Sequence, residues 1–542
     1  MTAAEAVMAV AREKGLQHFF GIPGGGSPLE LIEAGRRFGV KFVNVSHESS
    51  AAIAAASYGS LRNTAGLAMS IRGVGAANLA GGVANVFFER LPLVGICEAP
   101  PVSSRPVESV QQCDQPQLFA GVSRFQATLS KEHAEEMIRN AFARAVDGRP
   151  VPSMLHLPAG LGEIDAASSP PSSGSPKYYP VTASALRKVK EFIGKYPRLA
   201  ILAGADVIRC GAIPELQTFA QSVGAAVLVT MDARGVFAES HPRWAGVFLG
   251  LFNPNVIESR VLRQADAVIL IGVDAMMTHT PWKLDLPTCE LAASPDYSIM
   301  THPAVRADGD LKAALGRLAD QAKPGFSENE IAHLREGILT YFKRPPGARF
   351  AAQDIIAITR ELLPADGLLL SETGAFVCML EHLWPVEKPG TFLGTSGGRT
   401  MGLMVPAALG ARLAYPKKPM VGLGADGSLL MRLGELEVFA RAGVSMPLII
   451  INDQALGTMK ARQKSRGFAD YGLDFHAVDY AAIAKACGLH GVIVETPEAF
   501  RSALAEAMES DRTTLIDARV DPQAYQNSFG PTIGDLSQLS GA

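Results

Sequence analysis

Short runs of Val, Ile and Leu recur along the chain, each followed by a longer stretch in which apolar residues return at helical spacing. Leu199–Ala203, Ala267–Val273 and Pro447–Ile451 are representative, and none alternates apolar with polar positions as a half-wet strand does. Continuous apolar strands belong to parallel sheets covered by helices on both faces. The pattern predicts an α/β protein built from doubly wound, mainly parallel sheets. Near the N-terminus, Lys41–Val45 and Leu67–Ile71 read as strands and Ser49–Ser60 as an Ala-rich helix. Near the C-terminus, Pro419–Leu423 and Leu448–Ile451 read as strands that run into glycine-containing turns.

Two interruptions divide this alternation. The stretch 165–180, with Ser168, Ser169, Pro170, Pro171, Ser172, Ser173 and Gly174, is too polar and Pro-rich to pack and reads as a linker. Between about residues 322 and 349, Pro324, Gly325, Pro345, Pro346 and Gly347 bracket a charged helix-like segment. Three α/β units result, over residues 1–165, 181–322 and 350–525, with 526–542 expected as a mobile tail or a site-covering arm.

Composition narrows the picture. A length of 542 residues fits about three or four domains. Fifty basic against 53 acidic residues leave a net charge of −3, which offers no attraction to nucleic acid or an anionic membrane. The apolar runs fall short of the ~18–20 residues a membrane span needs. Six cysteines without a C-x-x-C pair, and a start without a basic, apolar leader, point to a reducing cytoplasm.

Candidate chemistry gathers at strand ends. Gly21–Ser27 is a Gly-rich turn, and Glu48 follows the strand Lys41–Val45 where open α/β sheets bind ligands. A helix-start acid facing the macrodipole is the plainer reading of Glu48. Arg72–Asn78 forms a second Gly-rich turn without the spacing of a dinucleotide fingerprint. The strongest constellation is Asp426 and Asp453, two carboxylates each ending an apolar strand beside a glycine turn. Hard oxygen ligands of this kind suit Mg²⁺, which keeps phosphate oxygens and water in its other positions, so the pair predicts a diphosphate ligand. Two ordinary helix caps are the competing reading.

These segments, together with Ala84-Asn85, Pro92-Leu93, Gln111–Gln115 and Ser396–Pro406, resemble in their order the thiamine-diphosphate-dependent enzymes of the acetolactate synthase and benzoylformate decarboxylase type. The resemblance implies an N-terminal pyrimidine-binding domain, a central domain and a C-terminal diphosphate-binding domain. It also implies a homodimer at minimum, and a homotetramer as a dimer of dimers, with each cofactor site made between two subunits. Glu48 would hydrogen-bond N1′ of the aminopyrimidine, the arrangement that lets the cofactor deprotonate its own thiazolium. Met401 would hold the bent cofactor and the Arg399 carbonyl would accept from its 4′-amino group. Asp426, Asp453 and the carbonyl of Ala455 would ligate Mg²⁺. Gly73, Asn78, Gly427, Ser428, Leu456 and Gly457 complete the implied cofactor contacts.

The chain departs from the family pattern at Ala425 and Asp453, where Gly and Asn are usual, and at Arg72, Arg399 and Arg462. Arg72 reads as a substrate-carboxylate anchor or as a paired surface arginine. Gln111 matches an amide placed near the reacting carbonyl, or is a loop amide bound to backbone. Arg462 stands where acetolactate synthases carry the tryptophan that chooses the acceptor. Gly272-Val273-Asp274-Ala275 lacks the arginine of flavin-containing members, so FAD is not expected. Gly24–Gly26 and Ile71-Arg72 offer no obvious proton relay, which favours carboligation of a decarboxylated small 2-oxo acid with a second carbonyl. The alternatives are a nonoxidative 2-oxo acid decarboxylase, a cyclic dione hydrolase, and a noncatalytic diphosphate-binding paralogue.

Overall fold

The computed structural model describes residues 1–101, 110–165, 178–250, 257–277, 286–297, 302–321 and 323–525. The Ser- and Pro-rich core of the linker and the C-terminal tail lie outside the described residues. Three six-stranded sheets, all parallel, carry the chain. The first is ordered Lys41–Asn44, His18–Gly21, Gly66–Ser70, Leu93–Ala99, Ser153–Pro158, Phe125–Thr128. The second runs Val305–Asp308, Thr288–Ala292, Ala267–Ile271, Leu199–Ala203, Ala226–Thr230, Trp244–Phe248. The third runs Phe392–Leu393, Leu368–Ser371, Met420–Ala425, Pro447–Asn452, Thr514–Arg519, His490–Val494. Central strands such as Leu199–Ala203 and Pro447–Asn452 are buried at every position, which is why they lack a polar face.

Each sheet reverses its strand order near the middle, and the crevice at such a reversal is where α/β sheets bind ligands. In the first sheet it lies between His18–Gly21 and Gly66–Ser70, in the second between Leu199–Ala203 and Ala267–Ile271, and in the third between Leu368–Ser371 and Met420–Ala425. Arg149 occupies the second crevice: its guanidinium donates to Asp206 at 2.9–3.0 Å and lies 3.4 Å from Asp274, stacked on Tyr297.

The first and third units share one apolar core, although the sequence reads them as separate. The helix Glu48–Leu61 is buried almost throughout because it lies between its own sheet and the helix Met404–Ala414. Side chains as small as alanine let the two helices touch, and a Cβ at Gly410 would sit 2.0 Å from the Ala54 carbonyl oxygen. The charged segment between the second and third units is the helix Glu328–Phe342, opened by a Ser327–Glu330 capping box. Ile331 and Leu334 join a core of the central unit while Ile338 and Phe342 join one of the third, so this segment is a bridge as well as a boundary.

Candidate active site

A cavity of about 480 Å³ opens at the reversal of the third sheet, in the size range of small-ligand sites. Asp426 and Asp453, ending neighbouring strands, share its floor with Gly427, Ser428 and Ala455, while Leu456 and Gly457 border the next turn. Asp426 is buried and accepts from the Gly427 and Gln454 backbone amides at 2.7 and 2.8 Å. Asp453 accepts from the Ala455 amide at 3.2 Å. Burial raises Asp426 to about 6, and burial together with the charge of Asp426 raises Asp453 to about 7. A Cβ at Gly457 would lie 2.6 Å from Asp453 Oδ2, so only glycine lets the chain pass this carboxylate.

These residues fit a magnesium diphosphate. Two carboxylates that disfavour each other's ionisation are relieved by a divalent cation, and the buried Ser428 hydroxyl has no hydrogen-bond partner among the described residues. No group of three or more His, Cys, Asp or Glu gathers among the described residues, so the remaining ligands would be carbonyl, phosphate and water oxygens.

Met401 borders the same cavity opposite Gly427, with its Cε 3.3 Å from where a Cβ would stand there. Arg399 and Arg462 also line it, as do Glu381, Cys378 and Tyr525. Arg399 lies 3.3 Å from the buried Glu381 and holds a left-handed φ of 43°, unusual for a side-chain-bearing residue. Burial and the charges of Asp453 and Asp426 raise the Tyr525 phenol well above its ordinary value.

The other expected site residues gather on the first sheet and do not line this cavity. Glu48 is buried at the start of its helix, capped by His47, and accepts from Asn78 Nδ2 at 3.1 Å. A Cβ at Gly75 would meet Ile71 Cγ2 at 2.6 Å and Glu48 Oε1 at 3.3 Å, and one at Gly73 would meet the Gln111 carbonyl oxygen at 2.7 Å, so close packing demands glycine at both positions of the second Gly-rich turn. Arg72 pairs with Glu98 at 3.2 Å, and the other Glu98 oxygen accepts from Ser27 N at 2.7 Å. That carboxylate fills the space where Gly26 would carry a Cβ. Gln111 is exposed with φ of 57°, its backbone pressed on Gly73; the buried amide of the segment is Gln115, which accepts from Gly73 N at 3.3 Å and donates to the Glu98 carbonyl.

Three carboxylates that position the site escaped the sequence reading. Glu89 is buried and accepts from Thr395 Oγ1, the Ser396 amide and hydroxyl, and Gly398 N, all within 3.0 Å, so the first unit fixes the loop that presents Arg399. Glu372 accepts from Met404 N at 3.0 Å and Ala425 N at 3.3 Å, and burial raises it to about 7. Glu381 is the third. A signal existed for Glu89: an acid ending an apolar helix opposes the macrodipole and must find donors elsewhere.

Comparison with known proteins agrees with this geometry. Residues 1–118 match the thiamine pyrophosphate enzyme N-terminal TPP binding domain, 186–315 the central domain and 372–518 the C-terminal TPP binding domain. The probable acetolactate synthase large subunit of Methanocaldococcus jannaschii is 26% identical over 96% of this chain and 92% of its own. The acetolactate synthase large subunit of Corynebacterium glutamicum is 26% identical over 97% and 87%, and the acetolactate synthase isozyme 2 large subunit of Escherichia coli 23% identical over 96% and 96%. With three family domains in order and a paired-carboxylate cavity at the third sheet's reversal, the chain belongs to the thiamine-diphosphate-dependent enzymes of the acetolactate synthase type.

Proposed function

We propose that the protein decarboxylates a small 2-oxo acid and joins the remaining fragment to a second carbonyl, using thiamine diphosphate and Mg²⁺. The observation that carries this reading is the pair Asp426 and Asp453 beside the unpartnered Ser428 hydroxyl, a donor set made for a metal-bound diphosphate. When bound, thiamine diphosphate supplies a nucleophilic carbon that adds to a carbonyl and takes up the electrons left by departing CO₂. Asp426, Asp453 and the Ala455 carbonyl hold the metal, and Gly427, Ser428, Leu456 and Gly457 contact the diphosphate end. Met401 and the Arg399 carbonyl hold the ring system, and Glu48, supported by Asn78 and next to Gly73, keeps a proton at N1′. Arg72, paired with Glu98, and the exposed Gln111 are the first unit's candidates for substrate contact.

Glu48 lies on the first sheet and the cavity on the third, with no first-sheet residue among its lining. A complete site therefore takes its Glu48 from a second copy, which makes a homodimer the minimum unit and a homotetramer its natural extension. Arg149, Asp206, Asp274 and Tyr297 fill the central crevice, which supports a protein without FAD. No helix among the described residues is long and apolar enough to cross a membrane, in keeping with a cytoplasmic enzyme of small molecules.

No histidine lines the cavity on this side, which supports ligation over simple release. Incubating the loaded protein with pyruvate alone, and with pyruvate plus an aldehyde, tests this: hydroxy-ketone products are expected. Free acetaldehyde alone would assign a nonoxidative decarboxylase.

A further inference from the structure

Besides the two metal-directed aspartates, the charged side chains lining the cavity are Glu381, Arg399 and Arg462. Glu381 and Arg399 neutralise each other at 3.3 Å. Arg462, on the helix Gly457–Ser465, has no carboxylate within ion-pair distance among the described residues, and its Nε is buried without a partner, as is the Nε of Arg399. Burial lowers the Arg462 pKa, and the charges of Arg466 and Arg399 lower it further. Arg462 thus has no protein carboxylate paired with it at the edge of a cavity whose walls include Leu249, Phe376 and Val377. A half-buried guanidinium with a buried, unpartnered Nε is open to a bound anion. Arg399 also holds its left-handed backbone where glycine would do so without strain, and such an outlier points to a use for its side chain.

The chemistry indicates which anion. A carboxylate that departs as CO₂ loses its charge on the way to the transition state, so an ion pair to it steadies the starting complex more than the transition state and slows the step. An arginine is better matched to a group that stays charged throughout. We propose that Arg462, with Arg399 beside it, forms a subsite for an anionic group that the substrate keeps through the reaction. The group is a carboxylate, either on an acceptor 2-oxo acid or at the far end of a donor 2-oxo diacid. This rests on the thiamine-diphosphate reading above.

The test uses protein loaded with thiamine diphosphate and Mg²⁺, wild type and Arg462→Gln, after calorimetry has recorded cofactor binding by both. Succinate and butyrate are then titrated as unreactive probes. Wild type is expected to bind succinate at least about tenfold more tightly than butyrate, and Arg462→Gln to lose that preference. Rates with 2-oxoglutarate against 2-oxohexanoate report the donor source. Rates with pyruvate plus 2-oxobutyrate against pyruvate plus propanal report the acceptor source. A preference of kcat/KM for the charged member of either pair, abolished by Arg462→Gln, supports the subsite and assigns its source. Equal handling of both pairs, or a charge preference that Arg462→Gln leaves intact, overturns it while leaving the cofactor reading in place. Failure of folded wild type to bind thiamine diphosphate overturns both.

Discussion

Asp232 shows how burial can outweigh a nearby opposite charge. Its carboxyl accepts from Thr230 Oγ1 at 2.6 Å, yet burial raises it from 3.8 to about 6 against the pull of Arg209. The folded protein therefore holds this proton more tightly than the unfolded chain does. Its ionised form costs stability, with no penalty below about pH 4 and the full penalty once pH has risen past about 6. Asp232→Asn should consequently gain stability relative to wild type as pH rises from 4 to 7, read from denaturant midpoints at several pH values. A difference that shrinks over that range would show that Arg209 governs the group. At this same scale the sequence was readable only in part. Asp426 and Asp453 stand out because each ends an apolar strand beside a glycine turn. Glu89 does not, since its partners begin 306 residues further along the chain and no local pattern encodes them. Arg399 and Arg462 were visible as substitutions, but only packing puts both beside one cavity.

Elements were more legible than contacts. Strands such as Leu199–Ala203 were readable to the residue, because full burial on both faces leaves a run of apolar side chains with abrupt ends. The helix Glu48–Leu61 was legible as a helix, but its alanines gave no sign of which helix they would meet. Small side chains permit close approach without naming the partner. That partner is Met404–Ala414, and the contact leaves no room at Gly410. Gly410→Ala should lose about 1–3 kcal/mol by overpacking, measured by denaturant unfolding. By contrast Gly316→Ala, in the open on the helix Leu311–Leu318, should gain about 0.5–1 kcal/mol from helix propensity alone. Equal effects at the two positions would show that the helix crossing is not tightly fitted.

For the whole molecule, the three-unit division was readable from the Pro- and Ser-rich interruptions, whereas the fusion of the first and third cores was not, because it depends on contacts between units far apart in sequence. The separation of Glu48 from the Asp426 cavity has a direct consequence for assembly. Glu48→Gln and Asp426→Ala should each be inactive alone, yet coexpression of the two should restore about a quarter of wild-type activity, because half the dimers are mixed and each holds one intact site of two. No recovery would place both residues in one chain's site. The central claim is that the strand-end carboxylates hold a metal-bound diphosphate. Its most direct test is calorimetric titration of metal-stripped protein with thiamine diphosphate, with and without Mg²⁺, for wild type and Asp426→Ala. The account predicts tight binding that requires Mg²⁺ and disappears in the variant; no binding by folded wild type, or Mg²⁺-independent binding that Asp426→Ala leaves unchanged, would contradict it.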